Sequence, residues 1–277
     1  MITLGFDIGT RYIKACVVRD EKIMGYSIRE SGRNIREIID TTREECVHAA
    51  GVKKREIKKT VSTGYGASLI HDADRQIGIE QCLSKAAWTL NGYCTSIVDI
   101  GGLFIHVIRI DAHGKPADSC ENETCASGSG KLLEIISGSM NIPLSSLSET
   151  AIRSSNPHFL TSSCAVFAES EIVSLSNQGA SKSDLILGIL QSIASKVAGY
   201  ADRVDTGSGM VISGGVAKVD AFKTILGKSM NREISKIPID PQITGAYGAA
   251  LIAGDMEIKF SGFFGSFKKD RKIKENK

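Results

Sequence analysis

The sequence predicts an α/β protein built from two related lobes, each with a mixed β-sheet covered by helices. Two segments 92 residues apart, 4–10 and 96–102, are near copies of each other, and in each an apolar run leads into Asp-Ile-Gly. A second apolar run follows each copy, over residues 12–18 and 104–110. Each unit predicts a β-hairpin, and its repetition in a chain of 277 residues indicates a duplicated fold with a cleft between the lobes.

The first half alternates short apolar strands with amphipathic helices. After the first hairpin, residues 22–28 and 59–62 are predicted to form strands. Apolar residues at helical spacing predict helices from Ile35 to Ala49 and over residues 76–90. This order of elements predicts a mixed sheet covered by helices, and we expect this lobe to span residues 1–94.

The second half, expected to form a lobe over residues 95–257, repeats the hairpin and adds more helices. Its predicted elements are a buried strand over residues 210–213 and helices over about 126–137, about 165–177, 185–204 and 244–253. The small residues of the last helix allow close packing, and we expect that helix to contact the first lobe. Residues 258–277 carry seven basic and two acidic side chains, which favours a flexible basic tail.

Composition and charge limit the classes of partner. The chain has a net charge of +3, of which the tail contributes +5, so the remainder is slightly acidic. No apolar run reaches the roughly 20 residues of a membrane span, and the N-terminal residues do not resemble a signal peptide. Seven cysteines, an odd number, favour reduced thiols. We therefore expect a cytoplasmic protein that binds neither nucleic acid nor a membrane.

Glycine turns at the ends of predicted strands indicate a nucleotide site. A glycine turn lets backbone N–H groups approach a phosphate closely, and an adjacent aspartate can hold a hydrated divalent cation. One Asp-Ile-Gly turn alone would favour a plain hairpin, whereas two matching turns across a cleft favour a phosphate clamp. A glycine pair, Gly214-Gly215, follows a predicted strand and suits close approach of a ribose or purine.

This series of turns resembles the actin, Hsp70 and sugar-kinase ATPase superfamily, in which two ribonuclease H-like lobes close on Mg-ATP. The resemblance implies that Asp7 and Asp99 position Mg²⁺ and are the catalytic residues. Lys14 either reaches a phosphate as a point charge or stays exposed on its hairpin. The residues implied to contact phosphates or adenosine are Gly9, Thr10, Gly101, Gly102, Gly214 and Gly215.

Two cysteines occupy matching positions in the second half. Cys125 and Cys164 each lie at the predicted start of a helix, where the helix dipole and free N–H groups favour the thiolate. Two cysteines cannot complete a four-cysteine iron–sulfur site, but a two-fold dimer supplies four. Buried structural thiols are the alternative, and the matched contexts favour metal ligands.

The segments around these cysteines, together with residues 63–66 and 242–250, resemble the ATP-dependent activators of 2-hydroxyacyl-CoA dehydratases and the ATPase subunits of benzoyl-CoA reductases. The resemblance covers residues 1–255. It implies a homodimer in which Cys125 and Cys164 of both chains hold one 4Fe–4S cluster. It also implies ATP-driven transfer of a low-potential electron to a partner iron–sulfur dehydratase or reductase, with a ferredoxin- or flavodoxin-like protein as electron donor.

The chain departs from this family directly after its second Asp-Ile-Gly-Gly. The family usually continues with Gln-Asp, where this chain has Leu103-Phe104. Because an amide and a carboxylate beside the phosphates are lost, we expect ATP hydrolysis to be slow or to require the partner, as in a divergent branch. Two alternatives stay open: a small-molecule kinase, for which no clear base or acceptor pocket is present, and a non-redox ATP-dependent switch or assembly factor.

Overall fold

The computed structural model describes residues 1–122, 129–160 and 165–267, which form two five-stranded sheets and the helices around them. The strands of the first sheet are β1 (Ile2–Ile8), β2 (Tyr12–Arg19), β3 (Lys22–Glu30), β4 (Lys59–Thr63) and β5 (Arg75–Gln76). Their order is β3-β2-β1-β4-β5. The pairs of β2 with β1 and β3 are antiparallel, whereas β4 pairs in parallel with β1 and β5, so the sheet is mixed as predicted.

The second sheet repeats this topology. Its strands are β6 (Ser96–Ile100), β7 (Ile105–Ile110), β8 (Pro116–Glu121), β9 (Met210–Ser213) and β10 (Ile234–Lys236). The order β8-β7-β6-β9-β10 and the strand directions match those of the first sheet element by element. The duplication predicted from the two hairpins is therefore confirmed at the level of whole sheets.

The two sheets place their aspartates at equivalent positions. Asp7 lies near the end of β1, and Asp99 lies near the end of β6. Each aspartate has one neighbour on the antiparallel strand and one on the parallel strand: Lys14 and Thr63 for Asp7, His106 and Ser213 for Asp99. The register thus identifies Lys14 and His106 as counterparts in the duplicated fold.

Eight α-helices pack around the sheets in the described part of the chain. They are α1 (Ile35–Ala49), α2 (Ile79–Leu90), α3 (Gly130–Met140), α4 (Leu147–Ile152), α5 (Ala165–Asn177), α6 (Lys182–Ala201), α7 (Asp220–Met230) and α8 (Thr244–Phe267). The long helix α6 lies at the centre of the largest apolar cluster, where Leu185, Ile189 and Ile193 are fully buried. Each such side chain contributes about 1.5–3 kcal/mol by leaving water, so α6 anchors the second half of the molecule.

Helix α8 returns to the first sheet, and its packing explains its small residues. A Cβ atom at Gly5 of β1 would lie 2.0 Å from the Ala246 carbonyl oxygen. A Cβ atom at Gly248 would lie 1.8 Å from the carbonyl oxygen of Cys82 in α2. Neither contact is possible for a larger residue, so β1, α2 and α8 form one closely packed layer.

Several features differ from the sequence-based expectations, and strands β5 and β10 and helix α4 have no predicted counterpart. Helix α2 begins at Ile79 because Arg75 and Gln76 pair with β4 instead. Strand β8 was not predicted, since its largely polar, exposed residues lack an apolar alternation. Helix α8 continues past the predicted end at residue 253 as far as Phe267, and so includes residues 258–267 of the expected tail. Across the described ranges, every helix is too short or too polar to span a bilayer.

Candidate functional site

A cavity of about 900 Å³ opens between the two sheets, within the size range of small-molecule sites. Both Asp-Ile-Gly turns and the turn after β9 contribute to its walls. All nine residues predicted to bind nucleotide or magnesium within the described chain line it: Asp7, Gly9, Thr10, Lys14, Asp99, Gly101, Gly102, Gly214 and Gly215. The sequence-derived set is thus brought together in one place.

The two turns close in the same way. The Gly9 N–H donates to the Tyr12 carbonyl at 3.0 Å, and the Gly101 N–H donates to the Phe104 carbonyl at 2.8 Å. These two N–H groups are therefore used by the turns themselves. The following N–H groups, of Thr10 and Gly102, have no backbone acceptor within the described residues, so they are the donors left to face a phosphate.

In the first turn the aspartate has its own counter-ion. Lys14 Nζ donates to Asp7 Oδ2 at 2.9 Å, and the two side chains are only 14% and 12% exposed. The structure therefore places Lys14 inside the cavity rather than on the outer face of its hairpin. An ammonium held there by a carboxylate can also attract an anionic ligand.

In the second turn the aspartate is less well neutralised. Burial raises the pKa of Asp99 above its usual value, and the nearby charge of Asp7 raises it further. His106, Lys14 and a hydrogen bond from Ser213 act in the opposite direction. Two carboxylates that repel each other in a desolvated cavity fit a divalent cation, because the cation removes this electrostatic cost.

Two glycines with positive φ let the chain pass tightly beside the aspartates. Gly64 after β4 has φ +86°, and a Cβ there would lie 2.4 Å from Asp7 Oδ1. Its counterpart Gly214 after β9 has φ +83°, and a Cβ there would lie 2.4 Å from the Ile100 carbonyl oxygen. Both positions therefore require glycine for conformation as well as space.

The two turns contact each other across the cavity, and Arg11 extends the contact to α3. A Cβ at Gly102 would lie 2.6 Å from Arg11 Cβ. Arg11 Nε donates to Glu134 of α3 at 2.7 Å, and its guanidinium also bonds Glu30. The Glu134 carboxylate is the main cause that holds the pKa of Arg11 well above its usual range. Sequence reasoning missed Arg11, although its position directly after the Gly-Thr turn was a signal.

Helix α3 is also joined to the second turn. The Gly130 N–H donates to the Gly101 carbonyl at 2.9 Å, and the Lys131 N–H donates to the Gly102 carbonyl at the same distance. These are first-turn N–H groups of the helix, which have no acceptor within the helix itself. Helix α3 is consequently held by both Asp-Ile-Gly turns, through Glu134 to one and through its backbone to the other.

The departure at Leu103-Phe104 places an aromatic ring in the cavity. Phe104 lines it and stacks on Tyr65, with ring centroids 5.8 Å apart, and on His106, at 6.0 Å. Tyr65 belongs to the turn after β4, so the stack crosses from one sheet to the other. An apolar ring therefore lies at the position where the resemblance implies a carboxylate.

The proposed cluster ligands Cys125 and Cys164 lie outside the described residues. Helix α3 begins five residues after Cys125, and α5 begins immediately after Cys164. A hydrogen bond from Ser139 to Glu169 connects the two helices. Four cysteines elsewhere are buried, and burial raises the pKa of each thiol: Cys16, Cys46, Cys82 and Cys94.

Several known proteins are similar to this chain in sequence and in structure. A 2-hydroxyisocaproyl-CoA dehydratase activator of Clostridioides difficile is 32% identical over 92% of this chain and 96% of its own length. A benzoyl-CoA reductase subunit of Thauera aromatica is 28% identical over 90% of this chain and 92% of its length. A solved structure of the activator of the 2-hydroxyisocaproyl-CoA dehydratase from Clostridium difficile, with bound ADPNP, superimposes with a TM-score of 0.89 at 31% identity, covering 95% of this chain and 97% of that one. The family model matches residues 4–253, and the chain belongs to the BadF/BadG/BcrA/BcrD ATPase family.

Proposed function

We propose that this protein is an ATP-dependent electron donor that activates a partner dehydratase or reductase, and that it works as a homodimer sharing one 4Fe–4S cluster. The relatives named as a dehydratase activator and as part of a benzoyl-CoA reductase support the class of activity. One observation carries the proposal: α3, the helix that follows Cys125, is hydrogen-bonded to the second glycine turn of the cavity.

We assign the cavity to ATP and Mg²⁺. The carboxylates of Asp7 and Asp99 would hold the cation, which supplies charge neutralisation at the phosphates when it is bound. The N–H groups of Thr10 and Gly102 would face the phosphates, and Lys14, which lines the same cavity, would add a positive charge. The tight turn at Gly214, followed by Gly215, lets an adenosine lie against bare backbone.

The coupling between nucleotide and electron transfer runs through α3. A phosphate drawn towards Thr10 and Gly102 shifts the two turns relative to each other, because each turn contributes one donor. The Gly101 and Gly102 carbonyls and the Arg11–Glu134 ion pair carry that shift to α3. Differential contacts of this kind are what allow a ligand to change a conformational equilibrium.

The cysteine set fits a bridging iron–sulfur cluster. Cys125 and Cys164 would hold it, and a 4Fe–4S cluster supplies one-electron transfer at low potential when it is bound. Two cysteines per chain require a second copy to complete the four ligands. Helix α5, which follows Cys164, exposes Phe167 (67%) and Val173 (50%), an apolar surface that the second copy would cover.

Hydrolysis by the isolated protein is expected to be slow. Phe104 offers no hydrogen bond to orient a water, and its ring packs between Tyr65 and His106. The partner protein would then supply or reposition the missing polar group. We further propose a cytoplasmic location and a ferredoxin- or flavodoxin-like electron donor, in line with the low potential that the activity requires.

Iron analysis tests the proposed function. Iron and acid-labile sulfide are measured in anaerobically purified protein, with Cys125→Ser, Cys164→Ser and, as a matched control, Cys120→Ser. We expect about two irons per chain, half a four-iron cluster, in the wild type and in the control, and loss of both elements in the other two variants. A carefully reconstituted wild type without iron would contradict the electron-donor function and favour a nucleotide-driven switch or a kinase.

A further inference from the structure

A second group of metal-binding side chains lies in the wall of the cavity, apart from the two aspartates. Glu80 comes from the first turn of α2, His106 from β7 and Glu121 from β8. One ligand atom from each lies within 4.8 Å of those of the other two. Three elements distant in sequence therefore bring an imidazole and two carboxylates to one point.

His106 is aimed into this group without a hydrogen-bond partner. The residue is 8% exposed, and its Nδ1 atom is buried with no hydrogen bond within the described chain. The nearest acidic atom is Glu121 Oε2 at 3.4 Å, which is too long for a good hydrogen bond. A buried imidazole nitrogen that lacks a partner is costly, so the site as it stands is incomplete.

The charges of the group also favour the binding of a cation. Glu80 and Glu121 place two carboxylates close together, and Glu80 forms no ion pair with any described residue. Lys14, the ammonium on this side of the cavity, is already paired with Asp7. One imidazole nitrogen with two carboxylate oxygens is a ligand set for Zn²⁺, Mn²⁺ or Fe²⁺, and it leaves coordination positions for water or a ligand.

We propose that Glu80, His106 and Glu121 bind a divalent transition-metal ion, separate from the Mg²⁺ assigned to the two aspartates. The ion would join α2 to the second sheet at the wall of the nucleotide cavity. Its existence does not depend on the iron–sulfur cluster or on the rate of ATP hydrolysis. The alternative is a direct pairing of His106 with Glu121, which needs no metal and leaves Glu80 without a role.

Binding of Mn²⁺ to the nucleotide-free protein tests the proposal, because electron paramagnetic resonance (EPR) counts the free ion directly. The variants are Glu80→Gln, His106→Gln and Glu121→Gln, with His113→Ala on the exposed turn after β7 as the control. Each of the first three should weaken Mn²⁺ binding by at least about tenfold, with the control unchanged. Glutamine keeps the shape of glutamate, and circular dichroism verifies the fold of each variant.

A second readout identifies the ligand atom. Pulsed EPR of the bound Mn²⁺ should show coupling to a ¹⁴N nucleus in the wild type and in Glu80→Gln at saturating metal, and none in His106→Gln. Three results would overturn the proposal: no Mn²⁺ binding by the wild type, unchanged affinity in all three variants, or loss of binding only in Asp7→Asn and Asp99→Asn. A ¹⁴N signal that persists in His106→Gln would also contradict it.

Discussion

The two Asp-Ile-Gly hairpins share a fold but differ in the residue opposite the aspartate. In the first, Asp7 faces Lys14, a permanent cation that bonds it at 2.9 Å. In the second, Asp99 faces His106, whose Nδ1 points to Glu121 instead. The first aspartate is neutralised by a lysine of its own hairpin, whereas burial disfavours the charged form of the second and raises its pKa.

A second difference concerns how each turn is connected to helix α3. The second turn accepts two backbone hydrogen bonds from α3, whereas the first is bonded to α3 through the side chain of Arg11. The duplicated halves have thus diverged: the first keeps a fixed charge in the cavity, and the second connects the cavity to the helix after Cys125. Identical topology does not require identical roles.

Replacing either of the two aspartates should give the largest effects, seen in ATP turnover. Asp7→Asn and Asp99→Asn should each lower Mg²⁺-dependent ATP turnover by about 100-fold or more, because each removes a carboxylate that would hold the Mg²⁺ at the phosphates. Turnover is measured with the partner present if the isolated protein is inactive. Unchanged turnover in either variant would contradict the role of that residue.

The same two variants should differ in their free energy of unfolding when no nucleotide is bound. Asp7→Asn leaves Lys14 without its partner and should lower the free energy of unfolding by about 1–3 kcal/mol. Asp99→Asn removes a carboxylate whose pKa is raised by burial, and whose charged form is therefore disfavoured, so it should leave stability unchanged or increase it. Chemical denaturation at pH 7 without divalent cations measures both, and equal losses would refute the asymmetry.

The paired glycines should instead behave alike. Gly64→Ala and Gly214→Ala both place a Cβ at positive φ and within 2.4 Å of another atom, so each should lower stability by about 1–3 kcal/mol. Gly199→Ala, within α6 and with open space around it, is the control and should be neutral or stabilising by up to about 1 kcal/mol. A clear loss of stability in only one of the two glycine variants would show that the turns differ in backbone conformation as well as in charge.

The apolar pair Leu103-Phe104 in the second turn should limit the rate of ATP hydrolysis. The double change Leu103→Gln with Phe104→Asp restores an amide and a carboxylate, and it should raise partner-independent ATP hydrolysis by at least about tenfold. Phe104→Leu, which stays apolar, is the control and should not raise it. Rapid partner-independent hydrolysis by the wild type would show that no polar group is missing.

The smallest expected effect concerns the link from the first turn to α3. Glu134→Gln removes the charge that Arg11 contacts and should lower the free energy of unfolding by about 1 kcal/mol, because Glu30 still bonds the arginine. ATP binding measured by calorimetry should change only severalfold. The matched variant Glu30→Gln removes the other partner of Arg11 and leaves α3 connected, so only Glu134→Gln should weaken ATP-dependent electron transfer.

The hairpins, most helices and the cavity residues could be predicted because their signals are local. An apolar run that ends in Asp-Ile-Gly specifies strand, turn and side-chain direction within about ten residues. Strand β8 could not be found in this way, since its polar residues depend on β7 for their conformation. The hydrogen bond of Arg11 with Glu134, and the proximity of Glu80 to His106, arise only when distant elements meet.

A redox titration with and without Mg-ATP tests the central claim most directly. The midpoint potential of the iron centre is measured anaerobically in the wild type and in Glu134→Gln. If the cavity and α3 are coupled, Mg-ATP should shift the wild-type midpoint by tens of millivolts, about 60 mV for each tenfold difference in ATP affinity between redox states. The variant should shift less. An iron-loaded wild type that binds ATP with an unchanged midpoint would contradict the account.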